Sequence, residues 1–263
     1  MSASHLALFS LQGKIAAVSG GTRGIGKAMA IALAEAGADI ALLQRDVANT
    51  EVRDEIRALG RKCEVLHLDI ADHESCTKAI PAVLEAMGDI DILINNAGIQ
   101  KRHKSIDFPD DDFNIVLQCN LKSVWTLSQA AGRHMVQKRS GKIINTASLL
   151  SFQGGINVPA YAAAKGAVAT VIKALSNEWA SQGVNVNGIA PGYIDTDMNS
   201  ALMQDQTRYR QLLERIPQGR FGTPEDFKGA VVYLASNASN YVNGEILVVD
   251  GGWMGKFILC VSF

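Results

Sequence analysis

The stretch KIAAVSGGTRGIGKAMA (residues 14–30) joins three unlike pieces with no linker between them. Residues 14–19 form a short, mostly apolar run of the kind that makes a strand buried on both faces. Gly20, Gly24 and Gly26 follow in a G-x-x-x-G-x-G pattern that leads into a helical stretch. Glycines permit a tight turn and a close backbone approach to phosphate, and a helix N-terminus supplies free N–H groups and positive dipole. Residues 21–27 also fit G-x-x-x-x-G-K, the start of a P-loop, but Ala28 stands where a Mg²⁺-binding Ser or Thr is required. A glycine turn alone is a weak signal, so the rest of the chain has to decide.

Outward from this stretch the same alternation recurs. DIALLQ (39–44), CEVLHL (63–68), DILIN (91–95), KIINTA (142–147), VNVNGIA (184–190) and ILVVD (246–250) read as further strands, separated by intervals long enough for crossover helices. The pattern predicts a single Rossmann-type doubly wound α/β domain over residues 1–263, with a seven-stranded parallel sheet and helices on both faces. No repeat, low-complexity tract or Pro/Ser linker divides it. The interval 193–223 is too long for an ordinary connection and reads as a substrate lid holding one helix. Residues 256–263 form an extra apolar tail too short to span a bilayer; packing on a neighbouring subunit and a disordered tail are both open.

Composition excludes several functions. With 48% hydrophobic residues and a net charge of −1, the chain has no basic footprint for nucleic acid and no acidic tail. The N-terminus has no charged region followed by an apolar run, and no stretch reaches the roughly 18 apolar residues of a membrane span, so a cytoplasmic protein without a membrane partner is expected. Cys63, Cys76, Cys119 and Cys260 form no C-x-x-C pair, so reduced thiols are expected. The histidines, His67 and His73 among them, have no ligand spacing, so no metal is expected.

In open parallel sheets, ligands bind outside the carboxyl ends of the strands. The unusual residues collect there: Asp69 after the third run, NNAG (95–98) after the fourth, Ser148 after the fifth and PGYIDT (191–196) after the sixth. Asp69 alone could be a helix cap and NNAG alone a turn, but so many coincidences at one edge argue for a site. The helix VPAYAAAKGAVATVIKAL (158–175) adds Tyr161 and Lys165 on one stripe with Val168, Ile172, Leu175 and Trp179. Pro159 marks the start of that helix and so places the pair near the same edge. A phenol is a poor base at neutral pH, yet a nearby ammonium and a cationic nicotinamide would both favour phenolate.

Taken together, these residues resemble the classical short-chain dehydrogenases/reductases from Leu11 to about Gly255. The resemblance rests on SGGTRGIG, NNAG, Ser148 thirteen positions before the Tyr161-x3-Lys165 pair, NVNGIAPGYIDT and VNGEILVVDGG. Ser19 stands where the family commonly has Thr, which keeps the hydroxyl. The resemblance implies that Ser148 orients the substrate oxygen, Tyr161 exchanges its proton, and Lys165 holds the nicotinamide ribose while lowering the Tyr161 pKa. It implies that Asn120 holds a water in the proton relay, where the residue alone suggests a cap or kink in a long helix. It also implies that Gly20, Thr22, Arg23, Gly24, Ile25, Gly26, Arg45, Asp69, Ile70, Asn96, Ala97, Gly98, Pro191, Gly192, Ile194 and Thr196 line the dinucleotide with Tyr161 and Lys165. A non-catalytic dinucleotide-binding scaffold would not need Asn120, Ser148, Tyr161 and Lys165 together.

Three finer expectations follow. At the end of the second strand, Gln44-Arg45-Asp46 has no acid at the usual NAD position and an arginine beside it, which favours NADP(H) over NAD(H). Family members usually form homotetramers, with the helices around 110–137 and 160–181 pairing with copies of themselves. LLSFQGGINVPAY (149–161) and IPQGRFGTPED (216–226) look most like the sugar-acid members, the 2-deoxy-D-gluconate 3-dehydrogenases and 2-keto-3-deoxygluconate dehydrogenases, with gluconate 5-dehydrogenases close behind. Lys101, Arg102, His103 and Lys104 would place positive charge at the mouth of the site, with Arg102 or His103 holding a carboxylate and Gln153 and Tyr193 also facing substrate. Asn157 departs from the arginine that deoxygluconate enzymes can carry, so a polyol or a 3-oxoacyl thioester stays as the alternative substrate.

Overall fold

The computed structural model describes residues 5–197 and 200–256. All seven expected runs are strands: β1 (Ile15–Ser19), β2 (Asp39–Gln44), β3 (Cys63–His67), β4 (Ile92–Asn95), β5 (Gly141–Thr146), β6 (Val184–Pro191) and β7 (Ile246–Val249). They form one sheet in the order β3-β2-β1-β4-β5-β6-β7, with every pairing parallel. The direction of winding reverses between β1 and β4, so a crevice opens beyond their carboxyl ends.

Helices cover both faces. On one side lie α1 (Gly24–Glu35), α2 (Glu51–Ala58) and α9 (Lys228–Ala235); on the other lie α3 (His73–Met87), α5 (Ser123–Gln137) and α6 (Pro159–Trp179). Adjacent strand residues point to opposite cores: Ala16 and Val18 join the first and Ala17 the second, as do Ile94 and Leu93. A strand that fills two cores has no polar face, which is why these runs are continuously apolar. The α6 stripe of Val168, Ile172 and Leu175 is fully buried, each side chain contributing about 1.5–3 kcal/mol over exposure. Asp72 starts α3 by accepting from the N–H groups of Glu74 and Ser75, and Gly88 ends it in the left-handed region.

The structure differs from the sequence reading in two places. The expected long helix over 110–137 is two helices, α4 (Asp110–Leu117) and α5, joined by a π turn over Gln118–Lys122 that contains Asn120. Segment 193–223 holds two helices, α7 (Ser200–Gln204) and α8 (Gln206–Arg215), instead of one. Of the apolar tail, Phe257–Phe263 lie outside the described residues, and Cys260 with them.

Candidate active site

The glycine turn that opens α1 is closed on its own backbone. A Cβ on Gly26 would lie 2.1 Å from the Gly20 carbonyl oxygen and 2.4 Å from Asn96 Nδ2, so only hydrogen fits. The first turn of α1 has no side-chain cap at Arg23, which leaves its N–H groups to an anion. The buried Ser19 hydroxyl ties this turn to β4: it donates to the Ile94 carbonyl and accepts from the N–H groups of Asn96 (3.0 Å) and Ala97 (3.2 Å). Asn96 Nδ2 donates in turn to the Gly20 carbonyl at 3.2 Å, and the Thr146 hydroxyl donates to Asn96 Oδ1 at 3.4 Å. Thr196 lies over Gly24, and Arg23 pairs with Asp197 at 3.0 Å. Pro191, Gly192 and the buried Ile194 follow from the end of β6.

Beyond β2, Gln44 Nε2 donates to the carbonyls of Asp46 (2.6 Å) and Asn49 (2.7 Å), so it shapes the next loop. Its Oε1 is buried with no partner, an orphaned acceptor at the edge where a sugar hydroxyl would be a donor. Arg45 is exposed, whereas Asp46 is engaged with the Ala48 N–H at 3.0 Å. Asp69 closes its own turn by accepting from Ala71 N–H at 2.9 Å, and the Ile70 carbonyl accepts from Gln118 Nε2. Asp72, not Asp69, caps the helix that follows. The hydrogen-only cradle at Gly26 and the orphaned Gln44 oxygen together fit a dinucleotide.

Tyr161, Lys165 and Ser148 meet at the end of β5. Lys165 is buried and its ammonium donates to the Thr146 carbonyl at 2.5 Å, with Nζ 5.6 Å from the centre of the Tyr161 ring. Burial pushes the Lys165 ammonium down to about 8. Burial raises the Tyr161 phenol above its ordinary value, while the Ser148 hydroxyl bonded to it and the Arg102 charge act the other way. The cation that lowers the phenol is thus Arg102, where the sequence reading expects the Lys165 ammonium together with a cationic nicotinamide. Ser148 is held by reciprocal bonds with its own loop, its Oγ accepting from Leu150 N–H and its N–H donating to Ser151 Oγ. Asn120 is fully buried and spends its amide on Ile99, donating to the carbonyl at 2.8 Å and accepting from the N–H at 2.9 Å. Gly98 allows this approach, since a Cβ there would sit 2.5 Å from Asn120 Oδ1. The π turn therefore fixes the loop after NNAG.

At the mouth, the expected cationic cluster divides. His103 Nε2 meets Asp112 at 2.6 Å and Lys101 pairs with the same carboxylate at 3.1 Å, so both already face an acid. Burial holds the Arg102 guanidinium below its ordinary value and Arg208 acts the same way, with Tyr193 and Tyr161 acting against them. The Asn157 carbonyl accepts from His103 N–H, and Asn157 sits at φ 64°, a left-handed conformation that Asn tolerates better than Arg. Tyr193 packs against Trp253 (4.7 Å between centroids) and Phe221 (5.8 Å), and Gln153 Oε1 accepts from the Trp253 indole. Trp253 and Thr146 are site residues that sequence reasoning missed as such, and Ser19, noted only for its hydroxyl, proves to tie the glycine turn to β4. Cys63, Cys76 and Cys119 are buried thiols pushed up to about 12, 11 and 11, which leaves them unreactive. Among the described residues no helix is long and apolar enough to cross a membrane, and no His/Cys/Asp/Glu group could hold a metal.

The family model described as enoyl-(acyl carrier protein) reductase matches residues 20–254. The chain is 53% identical to a 2-dehydro-3-deoxy-D-gluconate 5-dehydrogenase of Pseudoalteromonas atlantica, over 94% of this chain and 98% of the relative. A solved gluconate 5-dehydrogenase of Burkholderia cenocepacia, in complex with NADP and tartrate, is 39% identical, with a TM-score of 0.93 over 97% of this chain and all (100%) of the other. A short-chain type dehydrogenase/reductase of Mycobacterium marinum is 35% identical, with a TM-score of 0.91 over 96% and 100%.

Proposed function

The chain belongs to the short-chain dehydrogenase/reductase family, and on that premise we propose that it interconverts a secondary alcohol and a ketone on a six-carbon sugar acid, with 2-dehydro-3-deoxy-D-gluconate foremost and gluconate second. The observation that carries this reading is the 53% identity, over nearly the whole chain, to a 2-dehydro-3-deoxy-D-gluconate 5-dehydrogenase; Arg102, which lowers the Tyr161 and Tyr193 phenols against their burial, is the cation offered to the carboxylate. A bound nicotinamide dinucleotide would supply the hydride acceptor in oxidation and the hydride donor in reduction. Tyr161 moves the proton at the substrate oxygen, and Ser148 hydrogen-bonds that oxygen from the other side. Lys165 holds the nicotinamide ribose, and its positive charge favours the phenolate. Asn120 positions the Ile99 loop and, from its π turn, supports the proton path behind Lys165. Segment 193–223 closes over the substrate, with Tyr193 and Gln153 on its floor.

Gly20, Thr22, Arg23, Gly24, Ile25 and Gly26 receive the pyrophosphate; Asp69, Ile70, Asn96, Ala97, Gly98, Pro191, Gly192, Ile194 and Thr196 line the rest of the dinucleotide. NADP(H) is favoured over NAD(H), because Asp46 is committed to its own turn and Arg45 is left to meet a 2′-phosphate. The kcat/KM for NADP⁺ is expected to exceed that for NAD⁺, and Arg45→Ala to lower the NADP⁺ value roughly tenfold or more, the worth of a charged hydrogen bond. A tenfold NAD⁺ preference in the wild-type protein would mean that Arg45 does not read phosphate. Homotetrameric assembly through α4–α5 and α6, and a cytoplasmic location beside the nicotinamide pools, belong to the same proposal.

The substrate is tested with 2-dehydro-3-deoxy-D-gluconate, 2-deoxygluconate, gluconate, mannitol, sorbitol and an acetoacetyl thioester. The acids are expected to turn over, and Arg102→Ala to raise their KM by roughly 10- to 100-fold with the cofactor KM unchanged. Turnover of uncharged polyols alone, with KM indifferent to Arg102→Ala, would sink the sugar-acid reading.

A further inference from the structure

Segment 193–223 carries cations that the reading above leaves without a task. Arg208, Leu212 and Arg215 stand at i, i+4 and i+7 of α8 and so share one stripe. Leu212 packs into the cluster of Tyr193, Phe221 and Trp253, and the Arg215 guanidinium lies 4.0 Å from the Trp253 ring centre. That stripe therefore faces the floor of the site. Tyr209, 4.8 Å from Phe221 between centroids, fixes the rotation of the helix, and Asp205 caps it through the Arg208 N–H at 3.0 Å. The remaining member of the stripe, Arg208, stands one turn before Leu212 on the same face.

The charges agree with this placement. Arg208, Arg215 and Arg102 all hold the Tyr193 phenol down against its burial, and after burial it is Arg208 that most destabilises the cation on Arg102. Among the described residues neither guanidinium is in an ion pair, while the nearby acids are spent elsewhere: Asp112 on Lys101 and His103, and Asp205 on its cap. Like charges acting on one phenol repel one another, and an anion bound there relieves that repulsion.

We propose that Arg208 is a second holder of the substrate carboxylate, reaching it from α8 while Arg102 reaches it from the loop after NNAG. The anion then bridges the wall and the cover of the site, so an acid substrate ties α8 to the loop after NNAG and an uncharged one does not. This makes Arg208 a specificity residue of the reaction, and it rests on the sugar-acid reading above. A planar guanidinium on each side suits the two oxygens of one carboxylate.

The test compares wild-type protein with Arg208→Gln and Arg208→Lys. The kcat/KM is measured for gluconate and for gluconamide, its uncharged amide, alongside 2-dehydro-3-deoxy-D-gluconate. Arg208→Gln is expected to raise KM for the acids roughly 10- to 100-fold, with a loss at least tenfold smaller for gluconamide, and Arg208→Lys to recover part of it. Hydrogen exchange over residues 200–222, read in the protein with NADP⁺, gives a second measure that needs no turnover. Gluconate is expected to slow exchange there in wild-type protein and much less in Arg208→Gln. If wild-type protein turns over acids but Arg208→Gln keeps both their KM and the gluconate protection, the Arg208 assignment is overturned and the sugar-acid reading stands. If wild-type protein turns over no sugar acid, both are overturned.

Discussion

Replacing Tyr161 by phenylalanine is expected to lower kcat by roughly 10²–10⁴-fold in either direction while leaving dinucleotide affinity near its wild-type value. The substitution deletes one oxygen and keeps the ring that packs at the start of α6, beside the Lys165 stem. Nothing in the glycine turn touches that oxygen, so cofactor binding has no reason to change. The pH profile gives a further sign. The folded environment raises the phenol, so the base required for alcohol oxidation is protonated at neutral pH and becomes available as pH rises. Wild-type oxidation should therefore climb toward alkaline pH, and the residual activity of Tyr161→Phe should lack that limb. Single-turnover rates across pH, with cofactor binding measured by calorimetry, check both parts. Full turnover by the variant would remove Tyr161 from the reaction.

The parts of this site that rest on side-chain identity were legible in the sequence. Gly20, Gly24 and Gly26, NNAG, Ser148, Tyr161 and Lys165 are each the residue type that the local chemistry demands, and strand order brings them to one edge. Where backbone does the work, the sequence is silent. Lys165 is held by the Thr146 carbonyl, which any residue at that position would offer. The π turn at Gln118–Lys122 was read as continuous helix because one extra residue in a turn barely alters the apolar periodicity. The cluster 101–104 showed four cations but not the distribution of their partners, which depends on Asp112, an acid at the start of another helix. The stripe of Arg208, Leu212 and Arg215 is hidden in a polar stretch, since two of its three members are charges and the ring under Arg215 is brought in from residue 253.

A methyl group on Gly26 is expected to abolish useful cofactor binding, weakening NADP⁺ by roughly 100-fold or more while the sheet still folds. The added Cβ would stand 2.1 Å from the Gly20 oxygen and 2.9 Å from its carbonyl carbon, so backbone rather than a flexible side chain has to move. Overpacking of this kind costs about 1–3 kcal/mol, sometimes more, and here the displaced atoms are those that shape the phosphate turn. The displacement also spreads. Asn96 Nδ2, 2.4 Å from the new methyl, is the group that holds the Gly20 and Ser19 carbonyls, and the Ser19 hydroxyl holds the N–H groups of Asn96 and Ala97. Loss of those bonds loosens the turn that carries Gly98 toward Asn120, so the defect should reach the substrate end of the cleft as well. Gly229→Ala in α9 is the control, because a Cβ there meets nothing within 4 Å. That variant should bind NADP⁺ normally and melt at or slightly above the wild-type Tm, since alanine is the better helix former. Calorimetric titration with NADP⁺ and thermal melts of both variants decide the matter. Wild-type affinity in Gly26→Ala would mean that the cradle does not hold the dinucleotide, and Tyr161, Lys165 and Ser148 would then need another source of hydride.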